Sequence, residues 1–566
     1  MNALDTRFDR PRIEMVHGAN AKALLRDPEF QRAWSALAAA CIWGTSCQTW
    51  AFANAWLSAY AVRYEPLLVI QTDQAGLKGL LPLAIERSSG SIVHVGAHQA
   101  EYQVWLATEE NADSFIQSAL DVLAAAYPGR RLELQYLPPG SPIGWCEPSS
   151  YWGKKALLQE KKLPLLALGP DSAVEESLKK KSNKSRINRL KKIGPLTLVR
   201  IQTREQLSAV IDTIADYCDF RQGAINSTLP FRDDPFKKEF CLRLMEHPET
   251  THASVLMSGD RVVAANIGLL NRTSVSLGIV VHSPFLAEHS PGKILILLLA
   301  QELGKQGFSN LDLTPGGDLY KDRSADHYDT VYVLRLFFDR GNYVVEAIKA
   351  RLRSAATQRL RKANPAIVSQ LRSVYQNGFR DLLARKVSTS LRAGLKQQKP
   401  RSCKIPVEQA RQYSSYSAFR INCISDLLCY EPATRRDRSK AEFLLNAARN
   451  LEAGAQAYTL AEDGVLLHCG WISRLGTGSG EPMPVASTCV IWDEFTHPKG
   501  HAGNLLKICL EQRLHDAAML DGIETIIVEC GAGTNLAAGL GKQNYDKPSS
   551  ANCDLVPTPE RLNVEH

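Results

Sequence analysis

No run in this chain reaches the roughly 18 uncharged apolar residues that a membrane-spanning helix needs, so a helical membrane protein is not expected. The opening residues lack the apolar core of a secretory signal peptide. The 13 cysteines are odd in number and never fall in a Cys-x-x-Cys pair, so neither a zinc site nor a disulfide framework is indicated. Free thiols in a reducing compartment are expected instead, and with them a cytoplasmic location without a metal. A Gly-x-Ser-x-Gly elbow is also missing, which fits chemistry without a covalent serine intermediate. Acidic residues are absent from 177–193 and nearly so from 340–401, where fifteen Lys or Arg face only Glu346 and Asp381. That second stretch holds a local excess of +13 in a chain of net charge +8, so the remainder is mildly acidic.

What is present is ordinary globular material, 45% hydrophobic and 22% charged, in a chain too long at 566 residues for one core. Four pieces are expected. Residues 1–160 read as an α/β unit, with amphipathic helices up to about Tyr60, strands over 66–71 and 79–86, a helix over 114–126 and a strand over 131–136. Residues 161–340 read as a second α/β unit, and 341–400 as a basic helical hairpin broken at Asn364 and Pro365. Residues 401–566 repeat the strand and helix order, with a hairpin turning at Asp463 and Gly464. The fold class is therefore mixed α/β (α+β): tandem mixed sheets flanked by helices, joined by a basic linker.

The stretch 255–321 is the most informative. Alternating, β-branched runs over 254–256, 260–270 and 274–281 are broken by turn signals at Gly259, Asp260, Asn271 and Arg272. A helix follows with Ser290 as expected N-cap and Pro291 in its first turn, where the missing N–H costs nothing. Such a helix start offers backbone N–H groups and a positive dipole end to a phosphate, and Gly292 and Lys293 are placed to take one. An ordinary capped helix is the plain alternative. The strand that follows carries Asp312, with Asp318, Tyr320 and Lys321 just beyond it.

This region resembles GNAT-type N-acyltransferases, of the branch similar to cellulose-biosynthesis CelD-like acetyltransferases, whose double-GNAT architecture is Fem-like. The resemblance is carried by Gly259 to Ala265, by Ser290, Pro291 and Gly292, by Leu311, Asp312 and Leu313, by Gly316, Gly317 and Asp318, and by Tyr320 and Lys321. Upstream, Trp50, Phe52, Trp56, Gly79 to Leu83, Val95, Gly96 and Tyr102 also match, as does the basic helix over 178–190, so about residues 30–340 are covered. In the C-terminal piece the superfamily's pyrophosphate loop aligns with His497, Lys499, Gly500, His501 and Ala502, beside Gly503, and the Asn that begins its last helix aligns with Asn535. His497 departs from the usual Gln or Arg, and Tyr545 comes later than the usual acid, which puts leaving-group protonation there in doubt.

The resemblance implies an acyl-CoA-dependent N-acyltransferase using acetyl-CoA or another acyl-CoA as co-substrate. The acceptor it implies is an amine, on an amino sugar or an exopolysaccharide precursor, with a role in polysaccharide biosynthesis. Acyl transfer needs an oriented thioester, a neutral amine and a stabilised oxyanion. Asp312 and Asp318 are the candidate bases, Tyr320 the candidate proton donor, Lys321 a further candidate catalytic residue beside them, and Asp493 and Glu494 the candidate bases of the C-terminal piece. A salt-linked surface loop is the plain reading of the same residues. Two rival functions stand beside this one: Fem-like transfer from an aminoacyl-tRNA, and a non-catalytic GNAT-derived scaffold. A nucleic acid would bind the basic hairpin, although only Tyr343, Tyr375 and Phe379 are there to stack on bases.

Overall fold

Two long apolar runs meeting at Gly76, whose φ of 110° only glycine adopts freely, make the first hairpin: β2 (Tyr64–Asp73) and β3 (Gly76–Glu86). With β1 (Arg12–His17), β4 (Ile92–His94) and β5 (Leu106–Ala107) they form a five-stranded sheet, β1-β2-β3-β4 with β5 on β3. Helices α1 (Gly18–Arg26), α2 (Pro28–Ala40), α3 (Trp50–Ala59) and α4 (Ala112–Ala126) accompany it, and Trp34, Phe52, Trp56, Trp105 and Phe115 fill the core. This is a computed structural model, and it describes residues 12–170, 172–316, 319–363, 401–413, 419–434, 437–474, 487–498 and 505–530. The chain divides into two units: Met1–Leu395 with Tyr430–Ala453, and Lys396–Cys429 with Gly454–His566.

The second sheet of the first unit has eight strands in the order β6-β13-β7-β12-β11-β10-β9-β8. Its members are β6 (Arg131–Leu137), β7 (Ala156–Ala167), β8 (Leu196–Ile201), β9 (Thr251–Ser258), β10 (Arg261–Leu270), β11 (Ser274–His282), β12 (Asn310–Asp312) and β13 (His327–Phe337). The strand β6 and most of β7 come from before or around residue 160, so the two sequence halves share this sheet and, through one apolar cluster, a core. Around it lie α5 (Ala173–Lys179), α6 (Lys181–Ile193), α7 (Arg204–Ser208), α8 (Ile211–Asn226), α9 (Lys237–Leu244), α10 (Pro291–Lys305), α11 (Leu319–Ser324) and α12 (Arg340–Ala363). The first arm of the expected basic hairpin is thus helical, and its second arm lies outside the described residues. A further helix, α13 (Lys440–Glu452), belongs to this unit although it comes from later in the chain. It is closed by a capping box in which the Ser439 hydroxyl and the Glu442 carboxylate satisfy each other's backbone N–H.

The second unit is a six-stranded sheet, β14-β19-β18-β17-β16-β15. The strands are β14 (Arg401–Pro406), β15 (Arg420–Ile421), β16 (Gln456–Glu462), β17 (Val465–Arg474), β18 (Thr488–Thr496) and β19 (Thr525–Cys530), with α14 (Leu505–Ala518) between the last two. Asp463 and Gly464, both with positive φ, make the β16–β17 turn at the place the sequence assigned it. Among the described residues no helix is long and apolar enough to cross a membrane, and no disulfide or metal-holding cluster occurs.

Candidate active site

In the first unit, β11 and β12 run parallel with α10 as their crossover, an arrangement that places the helix over the sheet. They pair only from Ser274 with Asn310 to Ser276 with Asp312. Beyond that point β11 runs on to His282, and among the described residues no strand pairs with the edge it turns away from β10. The parting exposes backbone groups that an extended amide chain can pair with. The β10–β11 register skips at Gly268, where a Cβ would come 2.0 Å from the Ser276 carbonyl oxygen, so only glycine lets the strands close up here.

The far end of β11 leads to the N-terminus of α10. Ser290 stands at the cap position in a left-handed conformation (φ 50°, ψ 52°), and its side chain makes no capping hydrogen bond. The expectation of a serine-capped helix is therefore corrected: the backbone turn there is set by the preceding segment, with Ser290 N–H donating to the Ala287 carbonyl at 2.9 Å. Pro291 is in the first turn, as expected. Lys293 and Ile294 donate their N–H groups back to the Ser290 carbonyl, while the Gly292 N–H has no partner among the described residues. A Cβ on Gly292 would lie 3.2 Å from His282 Nδ1, so the glycine keeps this tip open. A cavity of about 420 Å³ opens beside it, lined by Tyr217, Arg221, His282, Gly292 and Lys293, with Leu445 of α13 on another wall. Burial, and then the neighbouring Arg186 and Lys180, push the Lys293 ammonium's pKa down. Three cations thus converge on one helix start, which is what an anion with several charges requires.

At the parting itself sits Asp312, 4% exposed. It accepts hydrogen bonds from the Tyr102 hydroxyl at 2.6 Å, the Ser276 hydroxyl at 2.9 Å and the Thr314 N–H at 2.8 Å. Burial outweighs these donors and raises its pKa above the ordinary carboxylate range. Lys321, also buried, donates from Nζ to the Thr314 hydroxyl at 2.8 Å and to the carbonyls of Thr314 and Pro315 at 3.2 and 3.3 Å. The structure thus brings Asp312 and Lys321 into one buried group. Tyr320 is in α11, its side chain outside the described residues, as are Asp318 and all of Lys499, Gly500, His501, Ala502, Gly503 and Asn535.

Sequence reasoning missed Glu101, a half-buried carboxylate next to Tyr102 whose pKa is raised to about 7, by burial first and by Asp312 as well. Its neighbour Tyr102 carries part of the resemblance, but the sequence assigns Glu101 no role; only the fold brings it to Asp312 and Lys321. The second unit corrects another expectation. Asp493 is not poised as a base: it is buried against the Arg513 guanidinium and 3.5 Å from His468 Nε2, which hold its carboxyl well below the usual range against the effect of burial. Glu494 accepts a hydrogen bond from Trp471 Nε1 at 2.5 Å.

Residues 178–322 match the family model described as acetyltransferase (GNAT) domain. No curated protein matches the chain. Solved structures with similar folds include FemX (8% identity, 59% of this chain and 99% of that one, TM-score 0.39). L-PGS from Bacillus licheniformis (12%, 58% and 96%, TM-score 0.38) is another. A tandem GNAT protein from the clavulanic acid biosynthesis pathway (10%, 58% and 99%, TM-score 0.33) is a third. The family match supports acyltransferase chemistry, and the segment it covers is the one that contains the parting strands, α10 and the buried Asp312.

Proposed function

We propose that the protein moves an acyl group, acetyl in the simplest case, from a coenzyme A thioester to an amine. The observation that carries this reading is the parting of β11 from β12, with a cation-flanked helix start at one end and a buried carboxyl group at the other. The donor fits these features in order. Its pyrophosphate meets the Gly292 N–H, Lys293, Arg186 and Lys180; its pantetheine amides pair with the free edge of β11; its thioester reaches the neighbourhood of Ser276 and Asp312. The amine nitrogen forms the new C–N bond, the C–S bond breaks, and the thiolate takes up a proton. The acceptor implied by the CelD-like resemblance, an amino sugar or an exopolysaccharide precursor, suits a reaction of this class. The sequence leaves open which module works; placing the transfer in the body formed by 1–160 and 161–340, with 401–566 as a further GNAT-like module, belongs to the same proposal.

Calorimetric titration of the full chain with acetyl-CoA and with longer acyl-CoA esters tests it. Binding is expected, and Gly292→Val, whose side chain must crowd His282, is expected to weaken it at least tenfold. Absence of binding by every acyl-CoA overturns the reading.

A further inference from the structure

We infer that the small cavity against β10 and β11 is the acceptor's amine subsite, with Glu101 as the carboxylate that holds the amine and carries off its proton. The inference rests on the acyl-transfer reading and names the part of the site which that reading leaves open. The cavity measures about 120 Å³, a few water molecules' worth. That admits the amine-bearing end of an acceptor and little else. Phe52, Phe240, Leu244 and Ile279 give it apolar walls, and Glu101, Tyr102, Lys237 and Ser276 give it polar ones. Gly278 and Ile279 also line it, and both lie on β11 beyond the last residue paired with β12. The cavity therefore opens onto the same stretch of strand that the donor thioester would follow.

The two carboxyl groups here are provided for differently. Asp312 is saturated with three hydrogen bonds. Glu101 has no hydrogen bond or ion pair among the described residues. A half-buried carboxylate without a donor costs free energy unless a ligand supplies one, and an amine supplies up to three. The charged and titratable neighbours agree with this. Lys321 on α11 and Lys237 on α9 act on Glu101 through space, Asp312 on β12 opposes them, and Tyr102, His98, Cys47 and Cys241 complete the titratable groups around the cavity. Both lysines disfavour a second positive charge in the cavity, so the proton of an incoming ammonium passes to Glu101. The pKa of Glu101, near 7, suits a group that accepts a proton and releases it to water in each cycle. The neutral nitrogen then attacks the thioester carbon, its second proton leaves with the thiolate, and Glu101 gives the first one to solvent. Asp312 holds Tyr102 beside Glu101 and acts as a positioning residue.

The test uses the full chain, its Glu101→Gln and Glu101→Asp variants, and n-propylamine as the probe. Ligand-observed magnetic resonance at pH 8 is expected to show propylamine binding to the native chain, at least tenfold weaker binding to E101Q, and partial recovery in E101D. Acetyl-CoA affinity is expected to be equal in all three. No propylamine binding, or equal binding by native chain and E101Q, overturns the subsite. Loss of acetyl-CoA binding in the native chain overturns the donor reading instead, so the two failures are distinct. If E101Q does not fold, E101D carries the comparison: an unchanged propylamine affinity there, with an unchanged pH profile between 5.5 and 8.5, also overturns it.

Discussion

Two crossovers in this chain share a plan and differ in their electrostatics. In the first unit β11, α10 and β12 give a parallel pair three residues long; in the second, β18, α14 and β19 give one that runs from Thr488 with Thr525 to Trp492 with Glu529. Each first strand then outruns its partner, to His282 and to Thr496. The first unit's aspartate, Asp312, takes its hydrogen bonds from neutral donors and feels the Lys321 cation only through space, so burial wins and raises its pKa. The second surrounds Asp493 with a guanidinium and an imidazole, so its charge is fixed. His468 is raised in turn to about 9: burial works against its charge, and Cys509 and Asp493 outweigh burial. One scaffold thus holds its buried aspartate with neutral hydrogen-bond donors, and the other pins its aspartate against a guanidinium.

The largest expected effect that sharpens this contrast comes from Arg513→Met. It strands Asp493 and is expected to destabilise the second unit by about 3–5 kcal/mol, read as a lower denaturation midpoint while the first unit's transition stays in place. Next is Asp312→Ala, which leaves the buried hydroxyls of Tyr102 and Ser276 and the Thr314 N–H without an acceptor. A loss of about 3 kcal/mol from the first unit is expected, with the second unaffected. Both should appear in calorimetric scans as a shift of one transition only, and a shift of both would break the comparison.

The smallest effect is the response to pH. Glu101 has an ordinary value of 4.5 and a folded value of about 7, so its own contribution to the first unit is lost as pH rises across that interval. His468 moves from 6.5 to about 9, so its contribution is complete below 6.5 and is lost as pH rises through 9. Asp493, held below its ordinary 3.8, contributes above that value and loses its contribution only as pH falls under it. Three histidines of the first unit, His94, His252 and His282, oppose Glu101: burial brings their folded values to about 4, 3 and 4 against an ordinary 6.5, so they add stability to that unit as pH rises to 6.5. The transition of the first unit is therefore expected to rise from pH 4.5 to 6.5, and that of the second to fall from pH 6.5 to 9. Scans at half-unit intervals in which both fall together would contradict this.

Much of the fold was legible because its signals are local. Gly259 and Asn271 marked the ends of β10, Asp463 and Gly464 the β16–β17 turn, and Pro291 the start of α10. The site was legible only in part. Asp312 and Lys321 stood out by position, but the bond from Tyr102 to Asp312 joins residues 210 apart, and the resemblance at Tyr102 did not extend to its neighbour Glu101. The cap at Ser290 was misjudged because the preceding turn, rather than the residue type, sets its backbone. Asp493 was misread for a similar reason: its partner Arg513 arrives on α14, and a strand-end aspartate looks the same in sequence whether it faces a cleft or a cation.

The passage of 430–453 into the first unit bears on how the chain can be divided. On α8, Gly223 has no side chain, and the space in front of it is taken by Leu444 of α13, 2.6 Å from where a Cβ would stand. Leu445 and Glu452 of the same helix also wall the cavity at the start of α10. A gene cut after residue 400 would keep both sheets of the first unit and still yield a poor protein, sticky along α8 and open at its anion pocket. The workable split is not a point on the sequence: the 430–453 helix would have to be grafted back onto the shorter chain.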